Sequence, residues 1–372
     1  MNRMSLLCAA GGMPTGRLAW VPRALAPIAV MLALTCVGQL PLRAADSPTT
    51  RFARLDAIRR ARVWEPSNVA AANIKEGPSG TFALAPGATV RCDYVPHEHG
   101  KGSTRKFDCA LPSGRRVKVR YGSDNGEVYA QVAATRLLWA LGFGATRMYP
   151  VTVICRGCSP NPFKDPAPSD RSAPPVRFDP ATIEVKADGQ TIETKPDQGW
   201  SWQELDLVDE AAGGASRRER DALTLLAVLI QHSSNKAINQ RVLCLDEPAC
   251  TQTRMIIVDA GKTFGRANLL NDDAKAAVNF KEWSAMSIWK DGHGCVGNLP
   301  PSLSGTLAYP RIGEEGRALL AGLLNQLSDR QIQDLFEVAR FTTRDPHSSI
   351  ADWVAAFKAK RAEIASRRCS GT

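Results

Sequence analysis

A short polar loop, HSSNKAINQ at residues 232–240, interrupts a strongly apolar part of the sequence. It follows the run LTLLAVLI and precedes RVLCLD, which has the pattern of a β-strand. The loop brings imidazole, hydroxyl, amide and ammonium groups together, and a buried core could hold them only if each had a polar partner. The sequence therefore predicts either a solvated turn or a loop that holds a ligand.

Three further segments carry polar side chains on predicted elements. Lys118 lies on the second strand of a predicted hairpin, and Glu127 and Gln131 lie on the amphipathic helix that follows it. Further along the chain, after the polar loop, the apolar strand MIIV ends in Asp259-Ala260-Gly261. The order is therefore a strand lysine, a helix acid, a polar loop, and a strand that ends in Asp-x-Gly.

This order resembles that of the protein-kinase-like superfamily. The kinase catalytic loop reads His-x-Asp-x-Lys-x-x-Asn, and His232, Lys236 and Asn239 fall at its places, while Asp259 and Gly261 match the metal-binding Asp-x-Gly. The segment IIVDAGKTF also resembles the divergent lipid-kinase and secretory-pathway kinase branches. The resemblance implies an α+β, two-lobed fold, with a strand-rich N-lobe that carries one main helix and a helical C-lobe.

The resemblance also implies a ligand, namely ATP or another nucleotide with Mg²⁺ or Mn²⁺. Phosphoryl transfer needs a polyphosphate to be positioned and neutralised more than it needs covalent chemistry. Lys118 would hold the α- and β-phosphates, paired with Glu127 or with Gln131, which occupies the more usual place for the helix acid. The glycine-rich KEGPSGTFALAPG, residues 75–87, would bring backbone amides to phosphate.

The remaining implied roles fall on the polar loop and the Asp-x-Gly. Asn239 and Asp259 would bind the divalent metal through hard oxygen ligands. Lys236 would face the transferred phosphate, and His232 would support the loop. Ser234 stands where kinases have the aspartate that accepts the substrate proton, and loss of a general base typically costs on the order of 10²–10⁴ in rate.

Two hypotheses of function follow. The first is a kinase-like protein that binds nucleotide and divalent metal and transfers phosphate by a divergent route or, as a pseudokinase, has lost transfer. The second is a non-enzymatic, disulfide-stapled envelope protein that binds a protein or glycan partner. The second would be favoured if Lys118, Asn239 and Asp259 pointed to different faces. A serine hydrolase is disfavoured because the chain has no Gly-x-Ser-x-Gly elbow.

The elements suggest an order of domains. Residues 45–73 are predicted as a tail with a short helix, and 74–158 as the strand-rich N-lobe. Residues 159–186 are predicted as a proline-rich linker or loop, since 159–180 holds seven prolines. A small hairpin with an Asp188-Gly189 turn is predicted in PATIEVKADGQTIE, residues 180–193, and the C-lobe spans 187–372. Its predicted helices are 201–212, 215–231, 313–326, 328–341 and 349–367.

The first 44 residues have the composition of an export signal. They contain four arginines, no acidic residue, and the apolar run ALAPIAVMLALTCVGQL before a small-residue site at Ala44-Ala45. We expect a periplasmic or secreted protein; the alternative is an uncleaved N-terminal membrane anchor. The whole chain has a formal net charge of +10, and these four arginines contribute four of it, so residues 45–372 carry +6. No basic run indicates a nucleic-acid partner.

Eight of the ten cysteines lie beyond the export signal, and an even number in an exported chain favours disulfides. A redox pair at CRGC, residues 155–158, would need a helix start after its first cysteine, and a zinc half-site would need a second pair at similar spacing. The sequence supplies neither. We therefore predict four disulfides: Cys92–Cys109, Cys155–Cys158, Cys244–Cys250 and Cys295–Cys369.

Overall fold

The computed structural model describes residues 50–96, 104–165, 170–194, 196–265, 277–292 and 294–369. The predicted export signal lies outside them. The described residues belong to one compact unit, Pro48–Thr372. They have the predicted α+β architecture, with a strand-rich N-terminal lobe and a mainly helical C-terminal lobe. Within these residues, none of the helices has the length and apolar character needed to cross a bilayer.

The described part of the chain forms eight strands and eight helices. The strands are β1 Thr89–Val95, β2 Lys106–Ala110, β3 Arg116–Tyr121, β4 Arg147–Arg156, β5 Val176–Val185, β6 Gln190–Ile192, β7 Gln240–Cys244 and β8 Thr253–Ile257. The helices are α1 Arg51–Arg59, α2 Glu127–Ala140, α3 Arg217–Leu229, α4 Phe280–Ala285, α5 Glu314–Asn325, α6 Asp329–Val338, α7 Phe341–Arg344 and α8 Ile350–Ser366.

The N-terminal lobe is built on a closed barrel with the strand order β1-β2-β3-β5-β4. The predicted hairpin is β2 and β3, and Gly114 supplies the positive φ of +79° that its turn requires. Because side chains alternate along a strand, Phe107, Val117 and Val119 fill the barrel while their neighbours face outward. The barrel thus has an apolar interior and a partly polar outer face.

Helix α2 lies on that outer face. Thr182 of β5 donates a hydrogen bond from Oγ1 to the carbonyl oxygen of Val128 at 2.8 Å. The helix is buried on almost every side and ends before Gly142, whose φ is +87° and whose position leaves no room for a Cβ beside the carbonyl of Glu65. The predicted main helix of the N-lobe is therefore confirmed, and its first turn points towards the C-terminal lobe.

Three predictions for residues 159–212 are wrong. The second half of the predicted linker, 159–186, is strand β5, which pairs with both β3 and β4 inside the barrel. The predicted hairpin about Asp188-Gly189 does not form, because β5 stays in the barrel and β6 pairs with β7 instead. The segment predicted as a helix over 201–212 is two 3-10 turns, Trp202–Leu207 and Glu210–Ala212.

The C-terminal lobe holds a small antiparallel sheet, β6-β7-β8, against a helical core. Helix α3 starts in a capping box between Ser216 and Glu219, and its second half, from Ala222, is buried as predicted. Helices α6 and α8 start in similar capping boxes. Because β7 follows the polar loop and β8 leads into Asp259, the sheet brings these two parts of the candidate site together.

Three of the four predicted disulfides are present: Cys92–Cys109, Cys155–Cys158 and Cys295–Cys369. The fourth prediction is wrong in this structure, since Cys244 and Cys250 carry free thiols. Hydrogen bonds close that turn instead, with Asp246 accepting from the backbone of Thr251 and Gln252. Burial and the neighbouring Cys244 raise the pKa of the Cys250 thiol to about 12.

Candidate functional site

The candidate site begins with two basic side chains on strand β3. Lys118 and Arg120 are two residues apart, so both lie on the outer face of the barrel. Arg120 is only 2% exposed, whereas the side chain of Lys118 is 36% exposed. Lys118 lies opposite Glu184 of β5, and its Nζ is 3.6 Å from Glu184 Oε2. The strand therefore presents one buried and one accessible cation on the same side.

The guanidinium of Arg120 contacts four side chains from three other elements. Its Nε donates to Gln131 Oε1 at 2.9 Å. Its terminal nitrogens lie 3.6 Å from Glu127, 3.4 Å from Glu184 and 3.3 Å from Asp259. Burial alone lowers the pKa of Arg120, but the three carboxylates outweigh burial and raise it. Arg120 is therefore held as a cation where α2, β5 and the end of β8 meet.

Donors surround the carboxylate of Asp259. Gln131 Nε2 donates to Oδ1 at 2.7 Å, the backbone N–H of Gly261 donates to the same oxygen at 3.1 Å, and Arg120 contacts Oδ2. Burial tends to raise the pKa of Asp259, but Arg120 and the Gly261 N–H lower it to about 2. Since 25% of the side chain stays exposed, an ionised carboxylate faces the space between the lobes.

Glu127, the first residue of α2, packs directly on the Asp-x-Gly turn. A Cβ at Gly261 would lie 2.5 Å from Glu127 Cγ, so this close approach requires glycine. Thr104 Oγ1 donates to Glu127 Oε2 at 2.8 Å. Burial and the charge of Asp259 raise the pKa of Glu127, although Arg120 opposes them. Neighbouring carboxyl groups with opposite pKa shifts are typical of functional sites.

The polar loop lies against Asp259 through its backbone. The carbonyl oxygen of Asn239 accepts hydrogen bonds from the N–H groups of Val258 and Asp259, at 2.9 and 3.0 Å. The side-chain amide of Asn239 donates to the carbonyl oxygen of Ser234 at 2.6 Å and to its hydroxyl at 3.1 Å. Ser234 and Asn239 are therefore fixed beside the end of β8.

Asn235 serves the structure of the loop. Its side chain is fully buried and donates to the carbonyl oxygens of His232 and Leu307, at 2.7 and 3.2 Å. Its side-chain oxygen accepts from the N–H groups of Thr306 and Leu307, at 2.7 and 2.9 Å. Asn235 thus ties the polar loop to the 306–307 segment of the C-lobe.

Lys236 starts the short 3-10 turn Ala237–Asn239, and its carbonyl oxygen accepts the N–H of Asn239 at 2.9 Å. Its side chain is partly exposed. Within the described ranges it forms no ion pair. Lys236 is thus on the same loop as Ser234 and Asn239, and its ammonium group is accessible to an anionic ligand.

His232 supports the loop by packing. Its ring is fully buried and lies edge-on to Trp202, with 6.2 Å between ring centroids. Neither ring nitrogen has a hydrogen-bond partner among the described residues. Burial lowers the pKa of His232 to about 4, so the ring is neutral at physiological pH.

We expect His232 to make the protein less stable at acid pH. The unfolded chain binds this proton near pH 6.5 and the folded chain near pH 4, so the stability present above pH 6.5 is lost as the pH falls. Between about pH 7.5 and about pH 5 the loss is about 2 kcal/mol. His232→Leu should remove this component, as measured by urea unfolding across that range. The same substitution at the exposed His347 is the control, and an unchanged slope in His232→Leu would contradict the expectation.

The structure brings most of the sequence-predicted residues together and corrects one. Glu127, Gln131, Asn239 and Asp259 meet between the lobes, with Ser234, Lys236 and His232 on the adjoining loop. Lys118 is not the partner of the helix residues; Arg120, two residues further along the strand, makes those contacts. Lys118 still belongs to the same group, because Glu184 contacts both cations.

Sequence reasoning missed four residues of the site: Thr104, Lys106, Arg120 and Glu184. Lys106 lies opposite Arg120 in the β2–β3 pairing, and burial and the charge of Arg120 lower the pKa of Lys106. The alternation of β3 could have placed Arg120 beside Lys118. Glu184 could not be found in the same way, since its segment was predicted to pair in a hairpin about Asp188-Gly189 and not with β3.

The glycine-rich stretch 75–87 lies elsewhere. Gly77 packs against the guanidinium of Arg136 on α2, and the hydroxyl of Tyr149 on β4 donates to the carbonyl oxygen of Pro78 at 2.7 Å. Among the described residues, no hydrogen bond or ion pair joins this stretch to Arg120 or Asp259. The expectation that it would serve the phosphate site is therefore not supported by its position.

A cavity of about 400 Å³ lies on the side of α2 that faces this stretch. It is lined by residues of the N-terminal segment, the α2–β4 connection and the β7–β8 hairpin, among them Glu65, Pro78, Trp139, Arg147 and Arg254. The residues of the candidate site do not line it. The cavity and the candidate site are thus separate features.

No family model matches the chain, and no curated protein matches it. Among solved structures, the chain is similar to the proinflammatory kinase CtkA of Helicobacter pylori, with 9% sequence identity and a TM-score of 0.41, over 76% of this chain and 95% of that chain. It is also similar to the Golgi casein kinase, with 13% identity and a TM-score of 0.36, over 75% of this chain and 73% of that chain.

A second structure of the Golgi casein kinase, with Mn and ADP bound, is 12% identical over 75% of this chain and 72% of that chain, with a TM-score of 0.34. These neighbours are protein kinases, the class that the sequence resemblance named. At these TM-scores the likeness transfers no residue's role, and the function below is argued from this chain's own contacts.

Proposed function

We propose that this chain is a kinase-like protein that binds a nucleotide between its two lobes and whose phosphoryl transfer is lost or strongly slowed. One observation carries the proposal: Arg120 from β3 and Gln131 from α2 both contact Asp259, which the backbone of Asn239 holds beside the polar loop. The group joins both lobes. The second hypothesis would have been favoured if Lys118, Asn239 and Asp259 had pointed to different faces, and the contact between Asn239 and Asp259 argues against it.

Basic groups at the site suit a polyphosphate. Arg120 is a buried, fixed cation that ion pairs with Glu127, Glu184 and Asp259 hold in place beside the proposed phosphate position. Lys118 is the accessible cation on the same face. Lys106 and Lys236 add positive charge from β2 and from the polar loop. Cations from both lobes would therefore neutralise a nucleotide bound between them.

The oxygen donors fit a divalent metal. Within the described part of the chain, no donor group reaches the side-chain oxygen of Asn239, and Asp259 is ionised with part of its carboxylate exposed. Hard oxygen ligands of these two types suit Mg²⁺ or Mn²⁺. Such an ion, when bound, would neutralise the phosphates. Asn239 and Asp259 would hold it, and Gln131 would keep Asp259 in place.

The polar loop has no carboxylate that could accept the substrate proton during phosphoryl transfer. Ser234 stands at the position of the catalytic aspartate, and its hydroxyl and carbonyl oxygens already accept hydrogen bonds from Asn239. A serine hydroxyl is far less basic than a carboxylate, and loss of a general base costs on the order of 10²–10⁴ in rate. The site therefore suits nucleotide binding better than rapid transfer.

We also propose that the protein works outside the cytoplasm. The support is the presence of three disulfides in the described residues, since such bonds persist in oxidising compartments. The partner class that fits this location is a protein or a glycan of the cell envelope or its surroundings.

Calorimetric titration with ATP tests the proposal. We expect the full chain to bind ATP in the presence of Mg²⁺ or Mn²⁺. Asp259→Asn should weaken that binding by at least about tenfold, about 1.4 kcal/mol, because it removes the charged metal ligand. Without metal the same variant should bind ATP no more weakly than the wild type, because it removes a negative charge that faces the phosphates.

Asp206→Asn is the matched control, since Asp206 is exposed on the 3-10 turn Trp202–Leu207. It should bind as the wild type does with and without metal. An absence of ATP binding under every metal condition would refute the proposed function. Equal weakening in both variants would refute the role of Asp259.

A further inference from the structure

Four cysteines lie together at one end of the N-lobe barrel. Cys92 is on β1, Cys109 on β2, Cys155 at the end of β4, and Cys158 in the turn that follows. All four are buried, with at most 5% exposed. The sequence argument against zinc was that CRGC has no second cysteine pair at similar spacing. The fold removes that objection, because β1 and β2 supply the second pair.

Three of the four sulfur atoms lie close together across the two disulfides. Sγ of Cys109 and Sγ of Cys155, which belong to different disulfides, lie 3.9 Å apart. The sulfurs of Cys92, Cys109 and Cys155 all lie within 4.8 Å of one another. In a zinc tetrathiolate with Zn–S of about 2.3 Å, neighbouring sulfurs are about 3.8 Å apart. The distance between the two pairs thus matches an edge of that tetrahedron.

The backbone positions these thiols firmly. Cys92 lies directly opposite Cys155 in the parallel pairing of β1 with β4, and β1 also pairs with β2, which carries Cys109. Gly157 has a φ of +73°, so the chain turns back and places Cys158 beside Cys155. A Cys-x-x-Cys turn that contributes two ligands, with two more from neighbouring strands, is a common arrangement of structural zinc sites.

We propose that these four cysteines form a zinc-binding tetrathiolate when both disulfides are reduced. Two molecules of a dithiol reductant together supply four electrons and four protons to the two disulfides and are each oxidised to a disulfide, which leaves four cysteine thiols. Zinc then displaces four protons, and four thiolates bind the ion. The barrel end would thus be closed by two disulfides in an oxidising compartment and by one zinc ion in a reducing one. This proposal is independent of nucleotide binding.

Metal analysis of the full chain tests it. The chain is treated with a dithiol reductant under native conditions, alkylation and mass spectrometry identify the reduced cysteines, and bound zinc is counted after gel filtration. We expect about one zinc ion per reduced chain and none in the oxidised chain. Co²⁺ in place of zinc should give the absorption bands of a tetrahedral thiolate site, which report the ligands without any activity.

Two variants locate the ion. Cys155→Ser/Cys158→Ser leaves only two of the proposed ligands and should lose zinc. Cys244→Ala/Cys250→Ala removes the two free thiols that lie outside the cluster among the described residues, and this variant should still bind zinc. Zinc that persists in the first variant, or that disappears only in the second, would overturn the proposal.

If the first variant does not fold, two measurements on the wild-type chain still test the proposal. Reduced wild-type chain that binds no zinc would overturn the proposal. So would disulfides that stay closed under conditions that reduce Cys295–Cys369, because the tetrathiolate would then have no accessible state.

Discussion

Arg120→Met is expected to destabilise the protein by about 3–5 kcal/mol, because it leaves three carboxylates without the buried cation between them. Glu127, Glu184 and Asp259 all lie within 3.6 Å of the guanidinium. Methionine fills much of the same volume but carries no charge. Urea unfolding at neutral pH measures the effect. The same variant should abolish ATP binding, since the fixed cation of the phosphate site is removed.

Lys118→Met is the matched control on the same strand. Lys118 contacts only Glu184 among these acids and is more than a third exposed, so its loss should cost no more than about 1 kcal/mol. Arg120→Lys keeps the charge but loses the forked geometry, and should fall between wild type and Arg120→Met. Equal losses for the two methionine variants would contradict the central role of Arg120.

The sequence led to Lys118 rather than Arg120 for a physical reason. Both residues share one face of β3, and alternation alone does not show which of them is buried. Their burial differs because α2 and Asp259 contact Arg120, whereas Lys118 has an ion pair with Glu184 only, among the described residues. A prediction from the strand alone could therefore find the face but not the buried cation.

The first half of strand β5, up to Pro180, could not be recognised as a strand from its sequence. Pro180 has no N–H for a strand ladder, and it follows a proline-rich stretch, so the pattern indicated a linker. In the barrel, β5 pairs with β4 through Phe178 and again through Ala181, opposite Val153 and Val151, where the register of β4 shifts. Pro180 lies at this irregularity, where a missing donor is tolerated.

Other parts of the fold could be predicted from local sequence patterns. The hairpin of β2 and β3, the helix α2, the buried half of α3 and three disulfides follow from alternation, periodicity and cysteine spacing. The closeness of Asn239 and Asp259 was implied by the kinase resemblance, and the structure achieves it through two backbone hydrogen bonds. Features formed within one or two elements could be predicted, whereas those that depend on distant partners could not.

The role of Asn235 depends on such distant partners, and its substitution is expected to cause a large loss of stability. Within HSSNKAINQ its amide could equally bind a ligand, but its partners Thr306 and Leu307 lie about seventy residues later. Asn235→Ala removes four hydrogen bonds and leaves the buried backbone groups of His232 and Leu307 without partners. We expect a loss of stability on the order of 4 kcal/mol, measured by urea unfolding.

Asn298→Ala is the matched control, because the amide of Asn298 also donates to a backbone carbonyl, that of Ser287, but at an exposed position. Its loss should cost less than about 1 kcal/mol, since water replaces the partner. If Asn235→Ala were as stable as Asn298→Ala, Asn235 would not hold the loop, and its polar groups would have to be explained by a ligand.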